Sequence, residues 1–229
     1  MQLKTATQQD ISSFARALFH KKRNDFSTFE EAAQFSVKHI YESFLDDVGE
    51  PMFALVRVFR ACTPSELPPE QDSPPSDDPK WLALFGTVGT EPAWNDRLQS
   101  IGHRIIPAGA FSTPMLKASF EALGFASLGE TEFVRNVGAT ASYTKFFHVE
   151  EADGSPYIVA QDEFVKPYGI QSVIGIGSPF ASGAFYMCLG FSKKSITNDE
   201  AQRFSQLSPF ISTLLANYDS KKLWNDPKA

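Results

Sequence analysis

At 229 residues the chain is long enough to bury a core without disulfides or a structural metal, as one large domain or two small ones. A net charge of −6 and a pI near 5.3 exclude the clustered basic face of a nucleic-acid binder. Cys62 and Cys188 stand far apart and outside any Cys-x-x-Cys, so they offer neither metal-ligand spacing nor a redox pair.

From the N-terminus, Ile11, Phe14, Ala15, Leu18 and Phe19 recur at helical spacing and predict a helix from Thr7 to Arg23. Its basic end, His20-Lys21-Lys22-Arg23, reads as a helix C-terminus whose cations suit the dipole. Thr28 and Glu31 form a capping-box pattern at the start of a second helix that Gly49 and Pro51 end. Met52 to Ala61 alternates as a strand, with Ala54, Val56 and Val58 on one face and Phe53, Leu55, Arg57 and Phe59 on the other. Thr63 to Pro79 holds six prolines and five acids, too little apolar surface to offset its ordering entropy, and predicts a mobile loop. A strand follows from Trp81 to Thr87, so the pair resembles a long hairpin.

Glu91 to Pro107 reads as a short helix and an extended piece, and Thr113-Pro114 opens another helix that ends at Gly124. Phe125 to Gly138 is ambiguous between helix and irregular chain, Tyr143 to Val149 is β-prone, and Gln161 to Tyr168 is a helix-like turn. Val173 to Ile176 and Ala184 to Phe191 are strands. Thr197 with Glu200 then caps one long terminal helix carrying Phe204, Leu207, Ile211, Leu214, Leu215 and Tyr218. Residues 219–229 read as a flexible tail. Helices bracketing antiparallel strands give an α+β class and a single domain.

The residues with chemical potential are few. Arg57 shares a strand face with apolar neighbours, where a charge is costly to bury unless paired. On its own residues it pairs with a loop Asp or Glu. His103 either faces a ligand, as a donor or a charge switch near neutral pH, or bonds a loop carbonyl. Trp94, Asn95, Arg97 and Ser100 either form one wall of a cavity or a capped short helix. Tyr157 and Tyr168, flanking Gln161 and Asp162, either close the cavity as a lid or pack a turn. No Gly-x-Ser-x-Gly elbow, P-loop or dinucleotide glycine motif occurs.

The order Tyr168-Gly169-Ile170-Gln171-Ser172-Val173, Ser178-Pro179-Phe180, Gly183, Phe185 to Phe191 and the capped Thr197-Asn198-Asp199-Glu200 resembles a GAF domain, the sensory relative of the PAS fold. The pieces Trp94-Asn95-Asp96-Arg97, Gly102-His103, Ile106-Pro107 and Ser155-Pro156-Tyr157-Ile158 are similar to GAF-like modules found ahead of bacterial histidine kinase regions. The resemblance implies a sheet with terminal helices on one face and a covered ligand cavity on the other. Where the face of Arg57 lines that cavity, it holds the carboxylate or phosphate of a ligand. It also implies a sensory or regulatory role in signal transduction, dimerisation through the terminal helices, and a separate kinase or regulator as partner.

Three chemistries of such domains lack their signatures. The Asn-Lys-x-x-x-Phe-x-x-x-Asp-Glu pattern of cyclic-nucleotide binders is absent, Cys188 is followed by Leu189 rather than the histidine of bilin attachment, and there is no cysteine cluster of the free methionine sulfoxide reductases. The expectation is a cytoplasmic binding module that is not an enzyme and uses no cofactor or metal, with an unknown small molecule as ligand. Its alternatives are an enzyme using His103 as acid or base and a scaffold with no ligand.

Overall fold

The computed structural model describes residues 1–20, 26–70, 80–100, 103–107, 113–125 and 145–226. The basic run beyond His20, most of the ambiguous 125–138 stretch and the part of the Pro-rich loop from 71 to 79 lie outside the described residues.

Six strands form one antiparallel sheet: β1 (Phe53–Cys62), β2 (Trp81–Gly89), β3 (Ile105–Pro107), β4 (Phe147–Val149), β5 (Ser172–Pro179) and β6 (Phe185–Ser192). The order is β3-β2-β1-β6-β5-β4, so the first and last strands of the chain meet at the centre. One face carries α1 (Gln8–His20), α2 (Phe29–Ser43), α4 (Asn198–Ser205) and α5 (Ser208–Ala216) over Val56, Val58, Ile174, Ile176 and Cys188. The other face carries α3 (Pro114–Leu123) and the 150–171 segment over Leu55, Phe59, Leu84, Met187, Leu189 and Phe191.

The expected caps form. Thr28 Oγ1 accepts the Glu31 N–H, and Thr197 and Glu200 bond reciprocally. α2 is shorter than expected: Phe44 turns extended so that Leu45 can bridge to Pro51 around Gly49, whose φ of 87° suits glycine. The single long terminal helix is instead two, because Pro209 can only sit at the start of α5 and breaks the ladder after Ser205.

β1 departs from simple alternation. A register shift between Phe53 and Leu55 turns Phe53 to the helix side and leaves Ala54 with the opposite core. From Leu55 onward alternation holds, so Arg57 and Arg60 point to opposite faces. The residues after 218 do not form a free tail up to 226. Asp219 bonds Arg60 at 2.8 Å, Trp224 stacks on Phe85 at 3.8 Å, and Phe29 and Glu30 donate backbone N–H groups to the carbonyls of Lys222 and Leu223. Among the described residues no helix is long and apolar enough to cross a membrane.

Candidate functional site

On the face away from the terminal helices, the sheet and the segments 93–100, 103–106, 113–116 and 157–168 enclose a cavity of about 470 Å³. Its floor is sheet: Leu55, Arg57 and Phe59 from β1, and Leu189 and Phe191 from β6. Strand alternation puts these side chains on one face, and the antiparallel pairing of Arg57 with Leu189 sets them side by side.

One wall is aromatic. Trp94 lies 4.5 Å from Tyr168 and 5.7 Å from Phe164 between ring centroids, and Phe164 lies 5.0 Å from Phe191. Trp94 is seated by two features of β2. Thr87 Oγ1 donates to the Trp94 carbonyl at 2.8 Å, and Gly89 gives the indole room, since a Cβ there would stand 2.7 Å from Trp94 Cε3 and 2.6 Å from the Ala54 carbonyl. Opposite, Gln161 holds the 152–158 turn by donating to the carbonyls of Ala152 and Ile158 while accepting from Gly154 N–H. Tyr157 stands partly exposed on that turn, with its ring edge toward Phe147 at 6.3 Å.

Arg57 is the electrostatic centre of the cavity. It is only 8% exposed, its Nε has no hydrogen-bond partner, and among the described residues its one side-chain bond is a long 3.4 Å contact from Nη2 to Ser100 Oγ. Among the described residues no acid pairs with it. Burial alone lowers its pKa to about 10, still protonated at neutral pH. His103 borders the same cavity. The residue is exposed overall, yet partial burial lowers its pKa from 6.5 and the Arg57 charge lowers it further. Glu163 also lines the cavity, with its side chain open to solvent.

Thus Arg57, Trp94, His103, Tyr157 and Tyr168 meet at one cavity, whereas Asn95 and Arg97 lie outside its lining. Asn95 covers the β2 edge beyond the short β3: its side chain donates to the Gly89 carbonyl and accepts the Gly89 N–H. Gln34 does the same for Thr87. Arg97 is engaged by Glu30 at 2.7 Å and by Glu70, and sits 4.7 Å from the ring centre of Trp224. Sequence reasoning passed over Gln99, Glu163, Phe164 and Phe191 as lining residues. The alternation of Leu189 with Phe191 was the available signal for the last.

Both cysteines lie on the helix side of the sheet, and burial pushes each thiol up to about 12. Neither lines the cavity. Among the described residues no three His, Cys, Asp or Glu side chains group closely enough to hold a metal.

No protein-family model matches the chain. No curated protein matches it either. Solved structures do match. The free methionine-R-sulfoxide reductase from Neisseria meningitidis in complex with its substrate aligns over 93% of this chain and 94% of that one, with a TM-score of 0.52 at 11% identity. A GAF sensor protein from Burkholderia vietnamiensis aligns over 93% and 96%, with a TM-score of 0.51 at 12% identity. The fold is therefore GAF-like and α+β, as the motif order implied. The expectation that the chain is not an enzyme is corrected by the same result. The fold it adopts is shared by sensory domains and by an enzyme alike, so the fold gives no ground for excluding catalysis.

Proposed function

We propose that this protein binds a small organic anion in the sheet-side cavity, with Arg57 as its anchor. The observation that carries this reading is a buried guanidinium with an unsatisfied Nε and, among the described residues, no acidic partner. A buried charge left in this state is costly, and an anion in the cavity supplies the missing countercharge.

A sensory or regulatory use of that site is supported by how its wall is fastened. The segment bearing Trp94 and Ser100 also bears Arg97, which grips Glu30 at the start of α2 and covers Trp224. Glu30 in turn accepts the Asn225 N–H. A ligand that shifts the wall thereby acts on the terminal helices and on residues 222–225. Titration calorimetry of the full chain with small organic anions at low salt is expected to give saturable one-to-one binding that Arg57→Met abolishes. Undiminished binding by that variant contradicts the anchor.

One observation favours a second reading, acid–base catalysis on the bound anion. His103 borders the cavity beside Arg57 with its pKa depressed, so its imidazole is neutral and able to accept a proton at pH 7. In this case the bound anion incorporates solvent deuterium in D2O, and His103→Gln keeps binding while losing exchange. No exchange into any anion that binds through Arg57 contradicts it.

A further inference from the structure

We infer that the ligand is a monocarboxylate carrying a flat aromatic body, an inference that rests on the anion-binding reading above. The head group follows from the charges around the cavity. Arg57 is the one Lys or Arg among its described lining residues, and Glu163 brings a carboxylate to the same lining. A single buried cation in a lining that also holds a carboxylate suits one negative charge, whereas a phosphate dianion or polyphosphate needs several cations. His103 adds no standing charge near pH 7, because both burial and Arg57 hold it toward the neutral form. Ser100, itself buried, offers a hydroxyl next to the guanidinium.

The body follows from the walls. Tyr168, Trp94, Phe164 and Phe191 run as a continuous aromatic surface with neighbouring centroids 4.5 to 5.7 Å apart. Aliphatic Leu55, Leu116 and Leu189 line the cavity with them. Such rings favour a planar partner that can offer its edge or face over a flexible chain of equal area. The volume, about 470 Å³, lies in the usual range for small-molecule sites and leaves room for a fused-ring acid with water around its head. Acetate would fill little of it, leaving the aromatic surface wet.

The test is titration of the full chain with acetate, benzoate, indole-3-acetate, phthalate, inorganic phosphate and benzyl alcohol. Benzoate and indole-3-acetate are expected to bind roughly tenfold or more tightly than acetate. Phe164→Leu is expected to narrow that ratio while leaving acetate unchanged, and Arg57→Met to remove both. Acetate binding as tightly as the aromatic acids, or phthalate or phosphate binding more tightly than benzoate, overturns the ligand class and leaves the anion site standing. Benzyl alcohol matching benzoate, or no anion binding through Arg57, overturns the anion site itself.

Discussion

Two arginines three residues apart on β1 meet opposite fates. Arg60 faces the terminal helices at 1% exposure and is fully engaged. Its guanidinium bonds Asp219 at 2.8 Å, Glu66 at 3.1 Å and the Ala61 carbonyl at 2.9 Å, with its charge 5.6 Å from the Phe29 ring centre. Arg57 faces the cavity, nearly as buried, with one long contact to a serine. The helix face thus closes its charge with the nearby Glu66 and the distant Asp219, and the cavity face leaves its charge without an acid among the described residues. The first arrangement fastens residues after 218 to the sheet. The second is costly in isolation and makes sense where a ligand completes it.

The contrast can be broken by substitution. The largest loss is expected from Arg60→Ala, which strands Asp219 and Glu66 beside an emptied site. Unfolding in urea is expected to show a loss of about 3–5 kcal/mol, the usual result of removing one partner of a buried pair. A loss below about 1 kcal/mol, as for a surface pair, would mean that the helix face does not depend on that closure. Next comes Gly89→Ala, whose Cβ meets the Ala54 carbonyl and Trp94. It is expected to cost about 1–3 kcal/mol by overpacking and to weaken anion binding through the displaced Trp94, both measurable on one purified variant.

The smallest effect is one of pH. With the folded pKa of His103 below its unfolded value of 6.5, the unfolded chain takes up a proton that the folded chain resists. Stability from this group is fully present above 6.5 and declines as pH falls through 6.5 toward the folded pKa. A bound anion reverses the local preference, so anion affinity is expected to rise over the same descent. NMR titration of His103 should give a value below 6.5 in the free protein, moving upward both with anion and in Arg57→Met. A value at or above 6.5 in the free protein would separate His103 from Arg57.

Much of the fold was legible in local pattern. The cap at Thr28, the full capping box at Thr197 and the alternation of β1 from Leu55 onward depend on residues a few positions apart, and they appear as read. The exception is that the Glu31 carboxylate accepts the Ser27 N–H and so leaves the box at Thr28 half made. The Phe53 face was misread because a bulge is set by the partner strand, here the shifted pairing with β6, and not by the strand's own sequence. The site was legible in part. The polar cluster at Trp94, Asn95 and Arg97 marked the right segment, but adjacent residues on an irregular turn point in different directions. Only Trp94 of the three lines the cavity. Whether Arg57 has an acid partner was beyond local reading, because such partners come from anywhere in the chain. Arg60 finds Asp219 at a separation of 159 residues.

If Arg57 is kept for a ligand and not for the fold, equilibrium urea unfolding of Arg57→Met without added anion reveals it. Methionine retains the apolar stem and removes a buried unpaired charge. The variant is expected to be as stable as the parent or more stable by about 1–2 kcal/mol. A loss of more than about 2 kcal/mol, the signature of a broken buried ion pair, would contradict it.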